Sequence, residues 1–288
     1  MTKKQEQIYK RSLIVVLLKK ILITLKFILP KKWYDIFYNF TFAIYKKMLR
    51  LPYSRICIYY KIKGDKEKFK KAKTIYKVMP YSLVGSAGLS QTYDLVAEVV
   101  KNNIKADLIE CGVAQGGCAA LMALIAFENK KNNRKIWLFD SFEGLPETGD
   151  KDFTIEKTKL AGKFIRPLDK GSCLGTYEQV ENLFFSKLKI NKKNVVMIKG
   201  WLEDTLPKYK NKIGKISVLR IDADWYKSTK CCLENLYDNV VNGGFIIIDD
   251  YGTCFGAKRA VDEFLEKKKL SVKLIHDGRG GCYFKKPH

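Results

Sequence analysis

From about residue 88 onward, short apolar runs alternate with segments whose apolar residues recur at helical spacing. An apolar run of about four to six residues closed by charge reads as a strand buried on both faces of a parallel sheet. Such runs occupy 107–111, 135–140, 195–198, 216–221 and 245–248. The stretches 92–101, 116–129, 177–188, 229–240 and 257–268 carry the helical pattern. Residues 272–275 and 282–284 read as two closing strands, with Asp277-Gly278 and Gly280-Gly281 turning between them. Alternating strands and helices predict an α/β fold with a mostly parallel sheet covered on both faces. No internal repeat is evident.

Two of the strand runs end in paired acids. Leu219-Arg220-Ile221 leads into Asp222-Ala223-Asp224, and Phe245-Ile246-Ile247-Ile248 leads into Asp249-Asp250. In open α/β sheets, ligands bind at the carboxyl ends of strands. If these strands are neighbours, four carboxylates converge there. Such a cluster repels itself unless a cation or a proton sits in it. An all-oxygen donor set suits a hard cation such as Mg²⁺. The competing reading makes the acids caps of the helices that follow.

The first strand runs into Glu110-Cys111-Gly112-Val113-Ala114-Gln115-Gly116-Gly117-Cys118, a glycine-rich turn opening a helix. Its spacing, G-x-x-x-G-G, is not the dinucleotide pattern G-x-G-x-x-G. The next strand ends at Asp140, where an acid is placed to bond ribose hydroxyls. The turn and the acid together point to an adenosine ligand.

The first 80 residues differ from the rest. They hold 21 Lys and Arg against 4 Asp and Glu, a net +17 of the chain's +24. Apolar runs at 13–18 and 21–29 are interrupted by Lys19, Lys20 and Lys26, and aromatics follow from Trp33 to Phe42. No uncharged run reaches the length of about 20 residues that a spanning helix needs. A signal peptide also fits poorly, because no small-residue cleavage site follows. Residues 1–80 are therefore expected to form a helical arm, and residues 81–288 a globular domain.

Three readings of the arm stand. It lies on an anionic membrane surface with lysines at the headgroups; it packs on the globular part or on a second subunit, making a homo-oligomer; or its Lys-rich stretch 61–77 contacts RNA phosphates. Apolar density argues against nucleic acid. The eight cysteines show no C-x-x-C spacing, which fits small buried hydrophobes in a reducing compartment. The expected location is the cytoplasm, at the inner face of the membrane if the arm binds lipid. With His276 and His288 as the two imidazoles, proton transfer falls to carboxylates.

Five motifs in order carry a family resemblance. They are Glu110–Val113 with Gly116-Gly117; Phe139-Asp140-Ser141-Phe142-Glu143-Gly144-Leu145-Pro146; Gly200-Trp201-Leu202-Glu203-Asp204-Thr205-Leu206-Pro207; Arg220-Ile221-Asp222-Ala223-Asp224-Trp225-Tyr226; and Gly243-Gly244 with Phe245–Tyr251. Over roughly residues 85–285 the chain closely resembles the macrocin O-methyltransferases, class I enzymes that use S-adenosylmethionine and Mg²⁺ to methylate sugar hydroxyls. The resemblance implies a Rossmann-like, seven-stranded, mostly parallel sheet. It implies that Glu110, Gly112, Val113, Gly116 and Gly117 line the cofactor, and that Asp140, with Ser141 nearby, holds the ribose. Gly200 and Trp201 would flank the adenine, Asp222, Asp249 and Asp250 would bind Mg²⁺, and Asp224 matches the general base. Trp225 stands where the family usually carries Leu.

The implied acceptor is a sugar hydroxyl, and the arm extends this to a glycan or glycolipid precursor made at a membrane. Alternatives are a catechol-type acceptor on the same metal site, an NAD-dependent sugar dehydrogenase or epimerase, and a non-catalytic membrane tether. The long segment 148–176, with Arg166 and Lys170, is placed where a lid over the acceptor would lie. Glu203 and Asp204 read as helix-start acids, and Arg220 as the partner of a buried acid.

Overall fold

A computed structural model describes residues 25, 28–128, 134–153 and 168–287. The apolar residues before Leu25 and residues 154–167 of the expected lid, Arg166 among them, lie outside the described residues. The chain divides into two compact units, residues 1–55 and 56–288.

In the first unit the main element is helix α1, Lys31–Ile62, which continues past the boundary. At about 1.5 Å per residue it is roughly 48 Å long. No helix among the described residues is long and apolar enough to cross a membrane.

The second unit opens with helix α2, Lys66–Val78, whose N-cap Asp65 accepts the Lys68 amide at 3.0 Å. Ala72, Ile75 and Val78 are buried. They pack the helix against α3, Ser86–Lys101, and α4, Gly117–Ala126. Helix α2 therefore lies in the second unit, its lysines mostly exposed while an apolar stripe closes on α3 and α4.

The remaining elements are β1 Asp107–Cys111, β2 Ile136–Asp140, α5 Tyr177–Glu181, β3 Val195–Lys199, α6 Leu202–Tyr209, β4 Ile216–Ile221, α7 Tyr226–Leu236, β5 Val240–Ile248, α8 Phe255–Lys267, β6 Ile275–His276 and β7 Cys282–Lys285. They form a seven-stranded sheet ordered β3-β2-β1-β4-β5-β7-β6. Strands β1 to β5 run parallel, and β7 is antiparallel to β5 and to β6. This is the α/β architecture that the alternation predicts. Helix α4 reads Gly-Cys-Ala-Ala-Leu-Met-Ala-Leu-Ile-Ala and is buried at every position but Leu124. A helix apolar all round needs cover on all sides, and the sheet with α2 and α3 provides it.

Local boundaries shift for identifiable reasons. The helix expected to reach residue 240 ends at Leu236 and tightens into a 3₁₀ turn, Tyr237–Asn239, where Asn239 donates to the Ile213 carbonyl at 2.9 Å. Strand β5 starts early, at Val240, and shifts register against β4 before Phe245. Of the expected strand at 272–275, only Ile275 is paired, with Tyr283.

Register sets up the site. Cys111 pairs with both Phe139 and Ile221, and Ile221 pairs with Ile248. Strands β2, β1, β4 and β5 therefore finish level, and Asp140, Gly112, Asp222 and Asp249 leave the sheet side by side.

Candidate active site

Leaving β1, the chain makes its glycine turn with Gly112 at φ 82° and Gly116 at φ 83°. A Cβ on Gly112 would lie 1.8 Å from the Asp222 carbonyl oxygen, so only glycine lets β4 end against this turn. A Cβ on Gly117 would lie 2.5 Å from the Tyr81 carbonyl, so this glycine admits the segment 81–84 to the cavity wall. Asp140 reaches across to the turn. Its Oδ2 accepts the amides of Val113 at 2.6 Å and Ala114 at 2.9 Å, and its Oδ1 accepts the amide of Phe142 at 2.6 Å. Burial raises the Asp140 carboxyl above its ordinary range, against the lowering effect of these amides.

Beside it lies a buried charge cluster organised by Arg220. This side chain is fully buried in β4 and holds three acids: Glu110 at 2.9 Å, Asp222 at 2.8 Å and Asp249 at 2.7 Å. Arg279, from the turn between β6 and β7, pairs with the other Asp249 oxygen. Two guanidiniums thus face Glu110, Asp222, Asp224, Asp249 and Asp250, and negative charge remains in excess.

The protonation equilibria follow from this imbalance. Burial, then repulsion from Asp249, pushes Asp222 well above the ordinary carboxylate range. Burial, then Asp224, does the same to Asp250. Burial pushes Glu110 up to about 7 against the pull of Arg220. Asp249 behaves oppositely: burial alone would raise it, but Arg220 and Arg279 together hold it below its usual value.

Carboxylate oxygens of Asp222, Asp249 and Asp250 lie within 4.8 Å of one another. Asp250 Oδ2 is buried with no hydrogen-bond partner. An orphaned buried oxygen beside two more carboxylates fits a divalent cation, which would relieve both the repulsion and the desolvation. Asp249 would share oxygens already bonded to guanidinium, which their second lone pairs permit.

Asp224 does not continue the strand. Its φ is 55°, and the Trp225 amide donates to the Ala223 carbonyl at 2.5 Å, so the backbone reverses there. The two-residue strand period that would align Asp224 with Asp222 does not apply. Asp224 is not a helix cap either. Helix α7 begins at Tyr226 with Trp225 at the N-cap position and no side-chain cap from it. The Asp224 carboxyl instead meets Cys254 Sγ at 3.7 Å and groups with Asp250. Burial, then Asp222 and Asp249, pushes it up to about 7. Ala114 and Cys173, also on the cavity wall, share the positive φ of Asp224. Each such residue costs about 1–3 kcal/mol, and such strain concentrates at functional sites.

These groups line one cavity of about 280 Å³. The expected residues Glu110, Gly112, Val113, Gly117, Asp140, Ser141, Trp201, Asp222, Asp224, Asp249 and Asp250 all reach it. Gly116 and Gly200 do not line it: Gly116 packs toward Val180 and Leu183, and Gly200 toward Thr205. Trp225 buries itself with Leu145, Cys254 and Ala257 and donates to the Pro146 carbonyl at 3.2 Å, holding the loop after β2 on the cavity rim. Glu203 and Asp204 do sit in the first turn of α6, and Glu203 also accepts Ser228 Oγ at 2.9 Å. Two contributors had no clear sequence signal. The 81–84 segment looks like a linker, and Arg279 lies between glycines that read as a bare turn.

Residues 16–286 match the Macrocin-O-methyltransferase (TylF) family. The chain belongs to this family. It is 32% identical to the demethyldecarbamoylnovobiocin O-methyltransferase of Streptomyces niveus, over 72% of this chain and 76% of that protein. It is 27% identical to the mycinamicin III 3''-O-methyltransferase of Micromonospora griseorubida, over 73% of this chain and 80% of that one. The solved structure of the O-methyltransferase NovP superposes with a TM-score of 0.63 at 33% identity, covering 72% of this chain and 83% of NovP. As a member of this family the chain is an enzyme, an O-methyltransferase of the class I fold that uses S-adenosylmethionine.

Proposed function

We propose that this enzyme methylates a sugar hydroxyl with Mg²⁺ held by Asp222, Asp249 and Asp250. The observation that carries the metal is the set of three carboxylates within 4.8 Å, two of them buried and Asp222 partly so, with Asp250 Oδ2 left unpartnered. The sugar acceptor is supported by the family and by a relative named for methylating a rhamnosyl-tetracenomycin. Bound Mg²⁺ would supply Lewis acidity, making an adjacent hydroxyl more acidic and fixing its position.

The chain's own residues do the rest. The Gly112 turn, which lets β4 end against it, would hold the cofactor at the ends of β1 and β4. Asp140 holds the turn with two amides on Oδ2 and one on Oδ1, so Oδ1, which otherwise meets Ser141 Oγ at 3.5 Å, is the oxygen left to accept a ribose hydroxyl. Trp201, on the cavity wall, would flank the adenine. Arg220 holds Glu110, on the cofactor side, and Asp222 and Asp249, on the metal side, in one fixed geometry. Asp224 takes the proton of the acceptor hydroxyl. Bound S-adenosylmethionine would supply the methyl group to the acceptor oxygen, and the electron pair of the broken carbon–sulfur bond would leave with the sulfur. Orientation of the two reactants is the larger contribution, at best about 7–11 kcal/mol. General-base assistance adds about 10²–10⁴-fold.

The test is methyl transfer from labelled S-adenosylmethionine to a panel of glycosides and catechols, with and without EDTA. Transfer to glycosides, abolished by EDTA and restored by Mg²⁺, is expected. Transfer confined to catechols would overturn the sugar acceptor, and indifference to EDTA would overturn the metal. Asp224→Asn keeps the shape and tolerates positive φ. It is expected to lower kcat by about 10²–10⁴-fold while S-adenosylmethionine affinity in calorimetry stays unchanged.

A further inference from the structure

Helix α1 carries a ridge of exposed apolar side chains: Trp33, Phe37, Phe40, Ile44, Leu51 and Ile58. At about 100° per residue these six fall within a sector of about 60° and form a stripe that Ile62 extends, while exposed Ile56 and Tyr59 lie off it. From Trp33 to Ile58 the stripe is about 37 Å long. Contiguous apolar patches on this scale mark interaction surfaces.

We propose that this stripe seats on the surface of an anionic lipid bilayer, with the helix axis in the membrane plane. Charge is the first reason. The stripe's own helix, Lys31–Ile62, holds seven Lys and Arg against one Asp, a net +6, which complements anionic headgroups and opposes docking on a second, equally basic copy. Spacing is the second. The stripe follows the three-four rhythm of a coiled coil, but the positions that would complete the seam are Lys47 and Ser54. A buried lysine and serine weaken a helix pair, whereas lysine stems at a bilayer surface extend to the headgroups. Third, the stripe begins with tryptophan, which is favoured at the lipid–water boundary. The proposal does not depend on the catalytic reading above.

Co-sedimentation of the full chain with vesicles tests it. Binding to vesicles of phosphatidylcholine with about a third phosphatidylglycerol is expected, with at least about tenfold weaker binding to pure phosphatidylcholine. Raising salt from about 0.1 to about 1 M, which cuts the screening length from about 10 to about 3 Å, is expected to weaken binding. The double variants Trp33→Ser/Phe40→Ser and Ile44→Ser/Leu51→Ser keep every charge, and each is expected to lose at least about tenfold in vesicle affinity. S-adenosylmethionine binding by both variants, unchanged, reports that the catalytic unit is folded. Three outcomes overturn the proposal: no binding to anionic vesicles, variants that bind like the parent, or a dimer in light scattering that the variants dissociate while vesicles go unbound.

Discussion

Arg220 is the residue on which the site is built. It is a fully buried charge one residue before the end of a six-residue strand, and it touches three acids at the ends of three strands. Removing one partner of a buried ion pair leaves the others uncompensated, at about 3–5 kcal/mol. Arg220→Met, similar in volume, is therefore expected to lower stability by at least that much in chemical denaturation. A variant as stable as the parent would mean that the acids are neutral without it. The sequence marked Arg220 as an acid's partner, but which acids it joins depends on the alignment of β1, β4 and β5. Gly112 offers a second contrast at this scale. Gly112→Ala would drive a methyl group into the Asp222 carbonyl, and loss of soluble protein or of S-adenosylmethionine binding is expected. Gly278→Ala, at φ 79° with nothing within 4 Å, is expected to cost only the backbone penalty of about 1–2 kcal/mol in thermal unfolding.

Among the elements, α7 shows how a distant segment can perform a local task. Its first amide, at Tyr226, donates to Asp152 Oδ1 at 2.6 Å, and Asp152 lies 74 residues earlier in the chain. Asp152 also accepts the Gly149 amide at 2.8 Å, so one carboxylate caps the helix and closes the loop after β2. Asp224 and its neighbours look like the local cap in sequence, yet the backbone turn at Asp224 takes that carboxyl into the cavity. Asp152→Ala is expected to destabilise by about 0.5–2 kcal/mol, the usual effect of losing a cap, read in denaturant titration. No change would mean that the helix start has another partner. The domain boundary teaches the same lesson. Lysines at 66–77 made α2 look like part of the arm, but Ile75 and Val78 are buried in the second unit.

Across the whole molecule, the cysteines report on compaction. None is in a disulfide; five are buried, and Cys57, Cys173 and Cys231 are partly covered. Burial pushes the Cys173 and Cys231 thiols up to about 12. Because the thiolate is the reactive form, alkylation of the native protein at neutral pH is expected to be slow at these two sites. Their rate should rise as pH climbs toward 12, whereas all eight should react quickly in denaturant. Fast labelling of Cys173 at neutral pH would show that the cavity wall opens.

The sequence alone determined the alternation of strands and helices, the glycine turn, and the acids that end β2, β4 and β5. Each of these is written in consecutive residues, because a buried strand must be apolar along its length and its charges can appear only where it emerges. The tertiary structure decided which acids meet. Level strand ends place Asp222 beside Asp249, a backbone reversal takes Asp224 out of strand register, and Arg279 arrives from a hairpin 30 residues after Asp249. Those contacts join residues far apart in the chain, and no local pattern encodes them. They follow from hydrogen-bonded register across the sheet and from the requirement that buried charge find a partner.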